Sequence, residues 1–294
     1  MDHLDSLRLF TRVVERGSFS VAAADLGIPR STATDAIRQL EQRLRARLLD
    51  RTTRHVAPTQ DGRDFYERCV AILADIEDAE STLRDAEPHG LLRIDAPGLL
   101  TRTYLLPALP AFLDRYPRID VHFGQSDRLV DLVREGVDCA IRVGELADSG
   151  LVQRRLGTLA EVTVASPAYL ARHGTPQSVD DLEGHRMVGF LSSRTGEVLP
   201  LEFSTPSGLR EVLLPCRVAA NHSDTTADLA RLGLGLVQAP RYRFALELAS
   251  GTLVEVLPEC PPSPTALSAL IAQNRQLSPR LRVFLDWVAA LFRT

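Results

Sequence analysis

Apolar residues recur at three- and four-residue spacing through the first third of the chain, and beyond it the rhythm changes to short strand-like runs separated by helical ones. Leu4, Leu7, Phe10, Val13 and Val14 lie on one stripe, which predicts a helix over 4–16 closed by Gly17. Residues 18–41 predict two short helices joined by a tight turn. Ser20 is the expected cap of the first, with Val21, Ala22, Ala23 and Leu26 as its apolar positions. Gly27 falls just past its end, where a left-handed residue costs least. Ile28 plugs the angle between the helices and Pro29 restarts the chain. The second helix runs from about Arg30, with Ala33, Ala36, Ile37 and Leu40 inward, and extends or restarts through 44–48. Its other face carries Arg30, Ser31, Thr32, Thr34, Asp35 and Arg38, side chains of base-reading length on a helix shaped for a major groove. A pair of core helices with a solvated polar face gives the same pattern.

Residues 49–58 are short and extended with a polar tip, a wing able to lay Arg51, Thr52 and Arg54 against a phosphate backbone, or else a plain surface hairpin. Thr59 is the expected cap of a long helix over 60–86, where Tyr66, Cys69, Leu73, Ile76 and Leu83 occupy a and d of a heptad. Glu80 interrupts that seam, and the opposite side is acidic. A stripe of this kind predicts a dimerisation helix, or one packed on its own C-terminal domain.

Pro88-His89-Gly90 reads as a hinge. After it strands alternate with helices: strands at 91–96, 119–123 and 137–143, with helices at 105–116 and 129–135. A second unit begins with a strand at 161–166 and a helix at 167–173. It continues with strands at 187–191, 217–220, 234–239 and 253–257 and a hairpin of 201–203 with 212–215. Helices follow at 223–232, capped by Ser223, and at 242–249; a strand at 266–272 and a helix at 279–291 close the chain. This rhythm predicts open, mostly parallel sheets in two α/β units with a ligand cleft between them.

Composition narrows the class. The chain has 294 residues, enough for two or three domains, and 45% hydrophobic with 24% charged residues is ordinary for a soluble globular protein. Net charge is −4, yet residues 28–58 hold seven arginines against three acids, a local basic patch suited to phosphates. All 34 basic residues are arginine, which favours bidentate contacts over point charges. The four cysteines lie far apart without a CxxC or a nearby His pairing, so no metal site is expected and the thiols read as buried apolar groups in a reducing compartment. Neither a secretory signal nor an apolar run of membrane-spanning length is visible, so a soluble cytoplasmic protein without membrane contact is expected.

Four stretches carry a family resemblance: LRLFTRVVERGSFSVAAADLGIPRSTATDAIRQLEQRLRARLLDRTTRHVAPTQDG, GLLRIDAPGLLTRTYLLPALPAFLDRYP, DLVREGVDCAIRVGELADSGLVQRRLG and LARLGLGLVQAP. Together with ASPAYLARHGTP they resemble LysR-type transcriptional regulators over essentially the whole chain. The resemblance implies an α+β multi-domain protein. It has a winged helix-turn-helix at 1–59, a linker and dimerisation helix at 60–89, and an effector-binding domain at 90–294. That domain has two Rossmann-like, periplasmic-binding-protein-like lobes, lobe I at about 90–160 and 266–294, lobe II at about 161–265. It implies operator DNA, a second copy of the chain (a dimer, then a tetramer), RNA polymerase and a small-molecule effector as partners, with no other cofactor.

Carried over, the resemblance puts the Arg30–Arg38 face and the wing on DNA. Two departures stand out: Pro29 where many members place serine, and Asp35 where many place a basic residue. An acid there repels phosphate but can accept from cytosine N4. The effector cleft falls on Gly98, Leu99, Leu100, Thr101, Gln125, Ser126, Asp127, Gly144, Glu145, Phe190, Asn221 and Ser223. Leu99 where relatives offer serine tilts the expected effector toward a partly apolar molecule.

Two rivals stand beside this reading. For an enzyme, Gly233–Gly235 lacks the third glycine of a dinucleotide loop and Gly124–Arg128 lacks the second glycine of a nucleophile elbow, so no catalytic residue is expected. A small-molecule-binding protein without a DNA role would keep the C-terminal half alone.

Overall fold

The computed structural model describes residues 1–51, 56–82, 87–126, 132, 135–144, 151–192, 195–272 and 277–293. Its contacts divide the chain into two compact units, one formed chiefly by Met1–Gly90 and the other chiefly by Leu91–Leu132, Val137–Asn274 and Arg280–Thr294.

In the first unit, helix α1 (His3–Arg16) begins where the Asp2 carboxylate accepts the Asp5 N–H at 2.7 Å. Helix α2 (Phe19–Asp25) is capped by Ser18, whose hydroxyl accepts the Val21 N–H, and not by Ser20. Phe19 is buried and takes the first helical position, so the helix starts before Ser20, which stays exposed. Gly27 adopts φ +66°, Ile28 packs on the core, and Pro29 precedes helix α3 (Arg30–Leu44). The expected continuation of α3 to residue 48 does not occur. Arg45 turns left-handed at φ 52°, and the Ala46 N–H closes on the Glu41 carbonyl, a helix-ending bond. The Glu41 carboxylate then accepts the Leu48 and Leu49 N–H groups at 2.9 and 3.1 Å and turns the chain into the wing.

The wing is an antiparallel pair, β1 (Leu49–Arg51) with β2 (Val56–Pro58), in the register Leu49 to Pro58. Helix α4 (Gln60–Thr82) follows, its first turn capped by the Thr59 hydroxyl on the Gly62 N–H at 2.9 Å. Leu9, Phe10, Val13, Ile37, Leu40, Leu49 and Cys69 are the centre of this unit's core, with the Phe10 and Phe65 rings 5.4 Å apart.

The second unit holds two lobes. Lobe I is a five-stranded sheet in the order β4-β3-β5-β14-β6, built from β3 (Gly90–Ala96), β4 (Ile119–Gln125), β5 (Cys139–Val143), β6 (Leu151–Leu159) and β14 (Thr265–Ala272). It is mixed, not mostly parallel: β3 and β5 run parallel, whereas β14 is antiparallel to both β5 and β6. The reason is connectivity. The chain leaves lobe I through β6 and returns through β14, so the two crossing strands point in opposite directions side by side. Strand β6 was not legible in the sequence, because its run LVQRRLGTL shows no clean alternation of burial.

The lobe I helix also begins earlier than residue 105. Helix α5 (Gly98–Leu100) runs through a π-helical turn, Thr101–Leu105, into α6 (Leu106–Arg115). The expected helix at 129–135 lies almost wholly outside the described residues. In lobe II, β7 (Glu161–Ala165) precedes α7 (Pro167–His173), and β8 (Met187–Phe190) pairs in parallel with β11 (Cys216–Ala220). The hairpin is β9 (Leu201–Thr205) with β10 (Gly208–Val212), shifted from the expected second arm at 212–215. Gly208 at φ +116° and the Thr205 hydroxyl on the Gly208 carbonyl set the turn there. Helix α8 (Ser223–Arg231) has His222 at its cap position and no side-chain cap bond, so Ser223 is its first residue and not its cap.

Strand β12 (Val237–Pro240), a one-turn segment Arg241–Phe244 and helix α9 (Ala245–Ser250) follow, and β7 is flanked antiparallel by β12 and β13 (Val254–Glu255). The closing helix α10 (Pro279–Leu291) packs on α6 through Phe112, Phe284 and Trp287. Among the described residues no helix is long and apolar enough to cross a membrane.

Candidate nucleic-acid interface and ligand cleft

Helix α3 presents the two faces its sequence predicts. Ala33, Ala36, Ile37 and Leu40 are buried, while Arg30, Ser31, Thr32, Asp35 and Arg38 are exposed. Ser31, Asp35 and Arg38 share one line by their four- and three-residue spacing. Thr34 is half-buried and donates its hydroxyl to the Arg30 carbonyl at 3.0 Å, so part of its bonding is turned back on the helix. No side chain caps α3, because proline stands at the cap position. Its first turn therefore offers backbone N–H groups and the positive helix end beside Arg30.

Neighbouring contacts hold α3 in place. Arg12 and Arg16 of α1 both grip Asp25 of α2, at 2.8 and 2.7 Å, and the Arg16 hydrogen bond foremost holds that carboxyl below its usual range. Arg43 meets His3 at 2.5 Å, and Arg47 is tied to the Leu49 carbonyl. The backbone of Arg51 ends β1; its side chain, with Thr52 and Arg54, lies outside the described residues.

The heptad seam of α4 is only partly available to a partner. Cys69 is fully buried in its own unit's core, where desolvation pushes its thiol up to about 12, and Tyr66 and Leu73 pack against the same core. Cys69 is therefore satisfied within the unit, whereas Tyr66 and Leu73 keep part of their surface exposed. Ile76 is half-buried, Leu83 lies outside the described residues, and Ile72, which the heptad reading passed over, is exposed.

In the second unit the sequence-predicted cleft residues separate into two groups. Gly98 and Leu99 are half-buried at the start of α5, and Gln125 is exposed at the end of β4. A Cβ on Gly98 would stand 2.9 Å from Gln125 Oε1 and 3.4 Å from Arg102 Nη1, so these three groups converge. Leu100 and Thr101 do not belong with them: both are fully buried, and Thr101 donates its hydroxyl to the Pro97 carbonyl. They turn inward because 98–101 is helical, which alternates faces within one turn. Gly144 is half-buried and bonds through its N–H to the Ala266 carbonyl. Phe190 and Ser223 are half-buried and Asn221 is exposed. Asp127 and Glu145 lie outside the described residues.

Ionic groups that the sequence reading missed surround this region. Arg142 and Asp95 form a buried pair at 2.5 Å, and the Ser126 hydroxyl donates to the same carboxylate oxygen at 2.8 Å. Ser126 is thereby committed to the framework of lobe I. Across the cleft, Arg102 of lobe I approaches Asp224 of lobe II at 3.9 Å, and buried Arg243 donates to Asp224 at 2.5 Å. The Tyr104 and Tyr242 rings meet edge to face beside them at 5.3 Å. A signal existed for Arg142, a charge inside the apolar run CAIRV; none marked Arg243. A surface concavity of about 500 Å³ lies elsewhere on lobe I, between Leu91, Leu113, Pro117 and the β4 residues Ile119–His122. It borders the edge strand β4, and Asp120 and His122 are its polar lining. No cluster of three or more metal-ligating side chains occurs among the described residues.

Comparisons with known proteins bear on both units. Residues 4–63 match the family described as "Bacterial regulatory helix-turn-helix protein, lysR family", and residues 85–293 match the "LysR substrate binding domain". The chain is 36% identical to an uncharacterised HTH-type transcriptional regulator, YhjC of Escherichia coli K12, over 100% of this chain and 99% of that one. It is 34% identical to an HTH-type transcriptional repressor of Pseudomonas aeruginosa, over 99% and 93%. Among solved structures it resembles CrgA from Neisseria meningitidis, with TM-score 0.59 and 32% identity over 99% of each chain. It also resembles full-length AphB, the Vibrio cholerae virulence activator, with TM-score 0.56 and 29% identity over 99% of each.

Proposed function

The chain belongs to the LysR family of bacterial transcriptional regulators, with a helix-turn-helix domain and an effector-binding domain, and on that premise we propose how its residues divide the work. Helix α3 enters the major groove of operator DNA, where Arg30, Ser31, Thr32 and Arg38 contact phosphate and base edges and Asp35 reads a cytosine. The wing, Arg51, Thr52 and Arg54, lies on the adjacent backbone. The observation that carries this reading is the amphipathic split of α3: its polar face is exposed, and its apolar face is locked to α1 and α2. The protein acts in the cytoplasm as a homo-oligomer and touches RNA polymerase, and its role is regulatory, which the names of its relatives as transcriptional regulators support.

The test is a mobility-shift titration on DNA from upstream of the protein's own gene. Arg38→Ala should weaken binding to every sequence and flatten the salt dependence by about one counterion. Asp35→Arg should change which base is selected, by about 1–3 kcal/mol at one position. Unchanged base preference in Asp35→Arg would remove Asp35 from the readout.

The cleft between the lobes takes a partly apolar small molecule, its polar end at Gln125 and Arg102 and its apolar part against Leu99 and Phe190. Closing the cleft changes the angle between the lobes and, in the oligomer, the spacing of paired linker helices. A thermal-shift screen is expected to find stabilisation by amphiphilic molecules, about 2.7 kcal/mol at a hundred times the Kd. Stabilisation confined to short hydrophilic acids would overturn the apolar assignment.

A further inference from the structure

Two residues of the π-helical turn of lobe I reach lobe II. Arg102 brings Nη2 to 3.9 Å from Asp224 Oδ2, and the Tyr104 ring meets Tyr242 edge to face. Tyr104 is braced from its own lobe by Phe292, with ring centroids 4.7 Å apart. Single π-helical turns are rare and occur frequently at functional sites. Arg102 faces two ways. A Cβ on Gly98 would stand 3.4 Å from Nη1 and 2.9 Å from Gln125 Oε1, so Nη1 lies toward the Gly98–Gln125 corner while Nη2 faces Asp224.

Asp224 is held from its other side. It lies in the first turn of α8, where a negative charge complements the helix start. Its Oδ1 accepts from Arg243 Nη2 at 2.5 Å. The Arg243 side chain is almost wholly buried, its neighbour Phe244 is part of the lobe II core, and its Nε has no hydrogen-bond partner among the described residues. Arg243 therefore depends on Oδ1, and Oδ2 is the oxygen left to face lobe I. The side chains of Arg102 and Asp224 are 53% and 43% exposed, so both remain within reach of a ligand. An ion pair so exposed is weak and exchanges partners readily.

We propose that Asp224 is the chain's own stand-in for the anionic end of the effector: it occupies Arg102 until an amphiphilic anion takes its place. This rests on reading the cleft as the effector site, and adds the charge of the ligand and the contact that its arrival breaks. A carboxylate at the Gly98–Gln125 corner brings a second negative charge to Arg102, and the two acids repel each other across it. Arg243 keeps Asp224 in lobe II. The tie between the lobes thus changes from Arg102–Asp224 to one that runs through the ligand. A neutral amphiphile of the same shape packs against Leu99 and Phe190 but leaves the internal tie intact. Charge, not shape, decides whether occupancy alters the contact between the lobes.

Calorimetric titration of the full chain with two matched pairs, phenylacetate with phenylacetamide and hexanoate with hexanamide, tests this. Asp224→Asn keeps an acceptor for Arg243 and removes the competing charge. It should bind the carboxylate of at least one pair roughly fivefold or more tighter than the wild type, with the amides unchanged. Arg102→Gln, at an exposed position, should bind that carboxylate roughly fivefold or more weakly, again with the amides unchanged, and it decides the matter should Asp224→Asn fail to fold. Carboxylate affinities that match the wild type in either folded variant overturn the proposal, while amide binding would still uphold the cleft. If none of the four probes binds the wild type or Asp224→Asn, the cleft reading and the proposal fall together.

Discussion

Gly62→Ala is expected to cost the DNA-binding unit about 3 kcal/mol or more, above the usual range for a single added methyl group. A Cβ there would lie 1.9 Å from the Leu48 carbonyl oxygen and 3.2 Å from the Thr59 hydroxyl. Neither can retreat alone. The Leu48 carbonyl accepts the Thr59 N–H at 2.9 Å, and the Thr59 hydroxyl caps α4 while donating to the Arg47 carbonyl at 2.7 Å. Relief requires the start of α4 to lift off the wing, which breaks the cap and pulls Phe65 and Cys69 from the core beneath α1. Circular-dichroism melting should show the loss, and anisotropy on operator DNA should show weakened binding even at temperatures where the protein stays folded. A variant that melts like the wild type would mean that the 59–62 junction relaxes at little cost.

The second large effect belongs to the other unit. Asp95→Ala removes the carboxylate from a buried arginine, and breaking a buried pair from one side costs about 3–5 kcal/mol. Arg142 and Asp95 are both buried, and Ser126 shares the carboxylate, so the loss extends to the end of β4. Urea denaturation of Asp95→Ala should show it, and the double variant Asp95→Leu with Arg142→Met should recover most of it, because an apolar pair of similar volume avoids the desolvation cost. A double variant as unstable as the single one would mean that the pair is needed for more than charge balance.

Periodicity made the DNA-binding unit legible because its three helices each bury one stripe against the others. What it missed were ends, which depend on single contacts. Ser18 and Ser20 are equally good caps in isolation, and only the burial of Phe19 chooses between them. The stop of α3 at Leu44 depends on Glu41 reaching forward to Leu48 and Leu49, a bond across seven residues that no helical pattern announces. In the second unit the strands with continuous apolar runs, such as CAIRV and TALSALIA, were visible. Strand β6 was not, because its exposed positions do not alternate and its side chains include Gln153, Arg154 and Arg155. The cleft residues were placed by resemblance, and helical geometry then separated Gly98 and Leu99 from Leu100 and Thr101. The ionic groups of the cleft floor come from five separate elements, so their meeting is a property of the tertiary fold alone.

The adjacency of β6 and β14 also bears on how the protein reaches its native state. Gln153 and Ser268, hydrogen-bonded at 2.9 Å across these strands, are 115 residues apart in the chain. Lobe I therefore cannot complete its sheet until lobe II has been synthesised, and β5 waits with an open edge through that interval. Pairings of such long range are slow to form, and waiting strand edges invite wrong partners. On a ribosome the N-terminal unit is ready early, whereas lobe I, though begun before lobe II, is the last part to be finished.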